Sequence, residues 1–334
     1  MKDLWDNSEL NFSQLFKAHS EQSFNDTALK IFRYQYEKID VYRSYVDQLS
    51  IHPETIDHSS KIPFLPIQFF KSHSIFSGSE RTDIVFESSG TQQQGTSKHH
   101  VQDISIYIKS FESAFEYFFG PASDYCILAL LPSYLEREGS SLIFMMDQLI
   151  KNSAHVKSGF YLDDFSALHS VLKDLNARKQ KTILLGVTFA LLDFAEEFST
   201  PLENIIIMET GGMKGRREEL LRQEVHEKLT RAFGTDSIHS EYGMTELLSQ
   251  AYSLGQGLFQ CPPWMRVHTR DLNDPLSRDQ RNKTGGINII DFANLHSCSF
   301  IATQDLGRVH DKGYFEIIGR FDESDIRGCN LMVA

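Results

Sequence analysis

The chain has 334 residues, enough for about two domains. Hydrophobic residues make up 41% and charged residues 23%, an ordinary globular balance with ample material for a core. The net charge of −12 argues against a nucleic-acid surface, which needs clustered Lys and Arg to neutralise phosphates.

The chain opens on the polar Met1-Lys-Asp-Leu-Trp-Asp, without the apolar stretch of a signal peptide. No run approaches the ~18 apolar residues of a membrane span. A cytoplasmic protein is expected. Residues 1–80 read as a helical N-terminal segment packed on a main domain, residues 81–334. Asn25 or Asp26 is placed to cap a helix over 27–49, with Leu29, Phe32, Tyr36, Ile39, Tyr42, Val46 and Leu49 at three- and four-residue spacing. Ile62-Pro63-Phe64-Leu65-Pro66 should be extended or turn.

From residue 83 short apolar, β-branched runs (83–86, 125–131, 182–187, 204–208) alternate with helical stretches (104–119, 140–151, 163–178, 216–233). This alternation predicts α/β architecture, a parallel sheet covered by helices. Beyond Glu246 the runs 265–271, 286–291, 299–303 and 314–318 predict a β-rich C-terminal third. The 25 Phe and 12 Tyr suit a large core or an apolar substrate tunnel, the core being the plainer reading.

The segment Phe86-Glu-Ser-Ser-Gly-Thr-Gln-Gln-Gln-Gly-Thr-Ser-Lys-His-His100 follows a predicted strand and precedes a predicted helix. Glycines let main-chain N–H groups converge on an anion, and hydroxyls add donors. Ser88, Ser89, Gly90, Thr91 and Gly95 are therefore a candidate phosphate loop, with Lys98 as its cation; the other reading is a polar surface turn. Gly90 and Gly95 have P-loop spacing, but a P-loop needs Lys directly after the second glycine. Here Thr96 and Ser97 intervene, which sets the lysine out of register. His99 and His100 read as the loop's exit.

The loop resembles the Ser-Ser-Gly-Thr-Thr-Gly-x-Pro-Lys segment of the acyl-adenylate-forming (ANL) superfamily, and further segments follow in that superfamily's order. Tyr242-Gly243-Met244-Thr245-Glu246 is similar to its Tyr-Gly-x-Thr-Glu motif. The resemblance implies that Tyr242 packs on adenine beside Gly243, that Thr245 contacts the α-phosphate, and that Glu246 helps hold magnesium. Magnesium favours such carboxylate and phosphate oxygens. Thr303-Gln304-Asp305-Leu306-Gly307 resembles Thr-Gly-Asp-Leu-Gly, which implies that Asp305 accepts from the ribose hydroxyls; Gln304 departs from the usual glycine. Gly319-Arg320-Phe321-Asp322 resembles the hinge motif Gly-Arg-x-Asp, which implies that Arg320 contacts the nucleotide. Glu209-Thr210-Gly211-Gly212 fits the glycine segment that lies along adenine.

Residues 62–71 and the chain's brevity are similar to one branch, the LuxE-like acyl-protein synthetases. The resemblance then implies an ANL-type large domain without the usual small C-terminal domain and its lysine. It implies ATP and magnesium as cofactors and a carboxylic, expectedly fatty, acid as substrate. It also implies transfer of the acyl group to a cysteine near the C-terminus, and on to an acyl-accepting reductase or carrier protein. Cys329 is that candidate, with Arg327 or Arg320 placed to depress its pKa. The four cysteines form no Cys-x-x-Cys pair, and Cys126, Cys261 and Cys298 read as structural. His239 reads either as an acyl-pocket residue or as a packed, hydrogen-bonded one. Two other readings stay open: an acyl-CoA ligase similar to phenylacetate-CoA ligases, and a non-catalytic nucleotide- or acyl-binding partner of a reductase.

Overall fold

The structure, a computed structural model, describes residues 15–17, 19–78, 82–88, 95–132, 139–162, 164–212, 220–274, 276–277 and 282–321. Contacts divide the chain into two compact units. The first comprises residues 1–110, 245–249 and 261–334; the second comprises 111–244 and 250–260. This grouping differs from a cut at residue 80.

The first unit opens with α1 (Glu21–Lys38) and α2 (Asp40–Gln48). The sequence predicts one helix from 27 to 49. Instead Ser20 caps α1, its side chain accepting from Ser23 N at 3.1 Å. Asn25 is engaged elsewhere, accepting from Ser59 N at 2.8 Å. The helix breaks at Ile39, which is extended (φ −113°, ψ 100°). A bond from Tyr36 Oη to Asp47 at 2.7 Å spans the break. Gln35 is fully buried and acts as a polar pin. Its amide donates to Asn294 O and Leu295 O at 2.9 Å and accepts from Ser299 N at 3.0 Å. These bonds satisfy a side chain that burial would otherwise penalise.

The prolines predicted as extended chain or turn include β1 (Leu65–Pro66). Next comes a hairpin of β2 (Ile84–Glu87) and β3 (Lys98–Val101), paired antiparallel from Ile84↔Val101 to Glu87↔Lys98. The phosphate-loop candidate thus joins two strands. It does not run from a strand into a helix, and α3 (Ile104–Phe119) starts only after β3.

The second unit is the alternating one: β4 (Cys126–Leu130), α4 (Ser141–Ser153), β5 (Gly159–Phe160), α5 (Phe165–Ala177), β6 (Thr182–Val187), α6 (Thr188–Glu197), β7 (Ile205–Thr210), α7 (Arg222–Phe233) and β8 (His239–Tyr242). These strands pair in parallel in the order β5-β4-β6-β7-β8. β4 and β6 are buried at every position, the mark of parallel strands covered on both faces. Two short antiparallel strands, β9 (Ala251–Ser253) and β10 (Phe259–Gln260), follow β8.

The chain then returns to the first unit with β11 (Met265–Arg270), β12 (Thr284–Asp291), β13 (Phe300–Val309) and β14 (Phe315–Arg320), an antiparallel run in that order. β1 adds in parallel to β13, with Leu65 opposite Ile301. The predicted β-rich last third is therefore present, with β12, β13 and β14 longer than expected and β11 one residue shorter. Gly307 sits where the β13–β14 register shifts, and a Cβ there would lie 2.3 Å from Glu316 O. Among the described residues no helix is long and apolar enough to cross a membrane.

Candidate active site

The loop between β2 and β3 is closed at its base. Ser88 N donates to Ser97 O at 3.0 Å, and Ser97 N donates to Ser88 Oγ at 2.9 Å. Gly95, at φ +71°, adopts the left-handed backbone that glycine tolerates best. Ser89, Gly90 and Thr91 lie outside the described residues. Lys98 points to solvent and pairs with Glu87 at 3.2 Å, its cross-strand neighbour. Such an exposed pair is weak and readily exchanged.

Glu246 is 6% exposed. Burial raises its pKa; a hydrogen bond from Ser97 and the charge of Arg320 oppose that, and Asp305 adds to it. Its main-chain oxygen accepts from Asn294 Nδ2 at 2.7 Å. The main-chain oxygen of Thr245 is 2.8 Å from His99 Nδ1, and His99 Nε2 is 2.8 Å from Ser297 Oγ. His99 is fully buried, which lowers its pKa to about 4 and keeps the ring neutral near pH 7. The expectation that His99 merely ends the loop is corrected: its ring turns inward, on the face of β3 opposite Lys98.

Just beyond, Asp291 fixes the following backbone. It accepts from Leu248 N at 3.1 Å, from Ser249 N at 2.9 Å and from Ser249 Oγ at 2.6 Å. Ser249 Oγ in turn accepts from Trp264 Nε1 at 3.0 Å. Burial pushes Asp291 up to about 6 despite these donors.

Asp305 and Arg320 face each other across β13 and β14, with Arg320 Nε 3.0 Å from Asp305 Oδ1. Asp305 is buried, whereas the Arg320 side chain is 72% exposed. The Asp305 motif thus lies within a strand. Below it is a buried cation that the sequence did not single out. Arg270 donates to Ile287 O at 2.7 Å, Asn288 Oδ1 at 2.8 Å and Thr303 O at 2.5 Å. Burial lowers its pKa to about 10.

In the second unit Gly211 and Gly212 leave the end of β7, Gly211 at φ +69°. Tyr242 ends β8, buried, with its ring at 5.9 Å from that of Phe259. Around them lies a buried polar cluster. Glu209 forms an ion pair with Arg222 and accepts from Thr188 Oγ1 at 3.0 Å. Burial would raise Glu209, but Arg222, His226 and Ser240 outweigh it and hold its pKa low. Thr210 hydrogen-bonds Glu241, its partner in the β7–β8 register. Burial pushes Glu241 up to about 7; the Thr210 bond opposes the rise and Glu209 adds to it. Glu241 packs so close to Gly243 that a Cβ there would stand 2.4 Å from Glu241 Oε1. His239 lies beside Phe119, its buried Nδ1 without a hydrogen-bond partner; the expected hydrogen bond at that atom is not made.

The first unit therefore holds Ser88, Thr245, Glu246, Asp305 and Arg320, with Ser97 closing the loop on Ser88 and, like Arg320 and Asp305, acting on the Glu246 carboxylate, and the second holds Gly211, Gly212, Tyr242 and Gly243. Cys126, Cys261 and Cys298 all have thiol pKa values raised by burial, Cys298 to about 12. They are poor nucleophiles. Cys329 and Asp322 lie outside the described residues.

The family model of acyl-protein synthetase, LuxE, matches residues 4–334. No curated protein sequence matches. Among solved structures, an open conformation of 2-hydroxyisobutyryl-CoA ligase in complex with 2-HIB-AMP and CoA aligns with a TM-score of 0.66 at 10% identity, over 91% of this chain and 70% of that one. The same ligase in its postadenylation state with 2-HIB-AMP gives 0.67 at 12% identity, over 91% and 68%. ATP-bound MatB from Rhodopseudomonas palustris gives 0.53 at 16% identity, over 73% of this chain and half of that one. The fold is thus the mixed α/β fold of these adenylate-forming ligases, and the chain belongs to the acyl-protein synthetase family LuxE.

Proposed function

We propose that the protein is an acid-activating ligase that uses ATP to convert a fatty acid into an acyl-adenylate, and then passes the acyl group to Cys329 and on to a reductase or carrier protein in the cytoplasm. The observation that carries the first step is the convergence on Glu246. Ser88, Glu246, Asp305 and Arg320, residues of four motifs far apart in sequence, fall in one unit, and Ser97, Arg320 and Asp305 all act on the Glu246 carboxylate.

The acid's carboxylate oxygen bonds to the α-phosphorus of ATP as the bridge to the β-phosphate breaks, and pyrophosphate leaves. A carboxylate is already a nucleophile, so no general base is required. The work is positioning and charge compensation. Ser88, Ser89, Gly90, Thr91, Gly95 and Lys98 hold the β- and γ-phosphates, and the weak Lys98–Glu87 pair leaves the lysine free to do so. Thr245 contacts the α-phosphate. Gly211, Gly212, Tyr242 and Gly243 take the adenine, and Asp305 the ribose. Arg320, exposed beside Asp305, reaches the nucleotide.

A magnesium ion suits this donor set. Among the described residues no group of three or more His, Cys, Asp or Glu side chains is placed to hold a metal ion. Magnesium, however, commonly takes one or two carboxylates and completes its shell with phosphate oxygens and water. Glu246, buried beside Ser97, is the carboxylate for it; when bound, the ion offsets phosphate charge.

In the second step the Cys329 thiolate attacks the acyl carbonyl. The C–S bond forms, the C–O bond to phosphate breaks, AMP leaves and the thiol proton passes to solvent. A second reading, transfer to CoA, is favoured by the structural likeness to a ligase solved with CoA.

The test uses ATP, magnesium and a panel of labelled acids. Acid-dependent exchange of labelled pyrophosphate into ATP is expected; its absence with every acid ends the adenylation reading. Hydroxylamine-labile label should appear on wild-type protein and vanish in Cys329→Ser. Equal labelling of the two removes Cys329 as acceptor, and accumulation of acyl-CoA on adding CoA establishes the second reading.

A further inference from the structure

We propose that His99 is a positioning residue for adenylation, one that holds the backbone of Thr245 and thereby ties the Thr245–Glu246 motif to the strand that closes the phosphate loop. The inference rests on the adenylation reading above. Three observations support it.

The first is geometry. His99 Nδ1 and Nε2 each make a 2.8 Å bond, to Thr245 O and Ser297 Oγ. A carbonyl oxygen only accepts, so Nδ1 carries the ring hydrogen. Nε2 then accepts from the Ser297 hydroxyl, and the ring is oriented from both ends. The edge of Phe70, with ring centroids 5.5 Å apart, packs against it.

The second is register. Ser97 and His99 stand two residues apart, and side chains at that spacing share one face of extended chain. Ser97 lies close enough to the Glu246 carboxylate to lower its pKa, and His99 bonds the Thr245 carbonyl. One edge of the hairpin thus grips both residues of the motif. Lys98, between them, points outward beside Glu87.

The third is the far end of the grip. Asn294 Nδ2 holds the Glu246 carbonyl at 2.7 Å, and Asn294 Oδ1 accepts from Leu248 N at 2.9 Å. With this side fixed, loss of the His99 bond frees the motif at Thr245. A misplacement of about 1 Å at reacting groups can cost on the order of a hundredfold in rate.

The experiment compares wild type, His99→Asn, His99→Gln and Ser297→Ala in the full chain, by pyrophosphate exchange, calorimetric binding of magnesium-ATP and thermal melting. Asn sets its amide donor near the place of Nδ1, whereas Gln sets it nearer Nε2. His99→Asn should keep exchange kcat within about threefold of wild type, while His99→Gln should lose about ten- to a hundredfold with the KM for the acid unchanged. Equal activity of the Asn and Gln variants overturns the inference, as does a loss that simply tracks melting temperature. If His99→Gln fails to melt cooperatively, Ser297→Ala decides: a several-fold fall in kcat at unchanged melting temperature supports the role, and unchanged kcat overturns it. If wild type binds magnesium-ATP but catalyses no exchange, the adenylation reading fails alone. The His99 inference is then judged on nucleotide affinity, with equal affinity of the Asn and Gln variants counting against it. If wild type binds no magnesium-ATP, both fail.

Discussion

Glu246 and Glu241 are both buried carboxylates whose pKa values are raised, but their surroundings assign them different work. Glu246 has a donor in Ser97 and a cation, Arg320, in reach, so it is suited to remain an anion once a positive ligand arrives. Glu246→Gln keeps the shape and removes the charge. We expect exchange to fall by about a hundredfold, with the magnesium concentration for half-maximal rate raised. A variant with wild-type magnesium dependence would remove Glu246 as the metal's carboxylate. Glu241 has one hydroxyl partner, Thr210, and an anionic neighbour, Glu209. Its folded pKa of about 7 lies above its usual 4.5, so the folded chain keeps a proton that the unfolded chain has lost. Its stability contribution is full below about pH 4.5 and is lost as pH rises through about 7. The span corresponds to at most about 3 kcal/mol. Glu241→Gln should therefore gain on wild type between pH 5 and pH 8 in chemical denaturation; a pH-independent difference would refute the assignment. The sequence disclosed the Glu246 motif because its neighbours spell it out in a row. It could not disclose His99, whose two partners lie 146 and 198 positions along the chain.

At the level of elements, local periodicity was informative where one face of a helix or both faces of a strand are apolar. The limits of α3 and β6 agree with the runs 104–119 and 182–187. Periodicity failed where a polar pin or a short strand governs. The break between α1 and α2 depends on an extended Ile39 and on the Tyr36–Asp47 bond. β8, His-Ser-Glu-Tyr, carries polar residues whose burial is satisfied by other strands and helices, so no apolar run announces it. The β13–β14 pair offers a direct test of how closely the Asp305–Arg320 geometry depends on its strands. A methyl group at Gly307 would meet Glu316 O at 2.3 Å, a main-chain atom that cannot rotate aside. Gly307→Ala should cost about 1–3 kcal/mol of stability. It should also weaken magnesium-ATP binding, since the strands carrying Asp305 and Arg320 are forced apart. Unchanged melting and binding would mean that the register shift absorbs the methyl group.

For the whole molecule, the proposed nucleotide should act as a folding ligand. At about a hundred times its dissociation constant, magnesium-ATP should add about 2.7 kcal/mol and raise the melting temperature by a few degrees. Glu246→Gln should reduce the part of that rise that needs magnesium, and a scan with and without the metal measures it. The fold class and the order of the motifs were legible because they depend on runs of residues. The division into two discontinuous units was not, because residues 245–249 and 261–334 group with the N-terminal part only through long-range contacts. The paired bonds between Ser88 and Ser97 have an evolutionary consequence. They act as a clasp, so residues 89–96 form a loop whose two ends are already joined. Doubling the length of such a loop adds only about 0.6 kcal/mol of closure entropy. As far as the cost of folding goes, relatives are thus free to change the length between the two serines while the clasp keeps its place. Natural length variation should accordingly gather at the tip and spare the two serines.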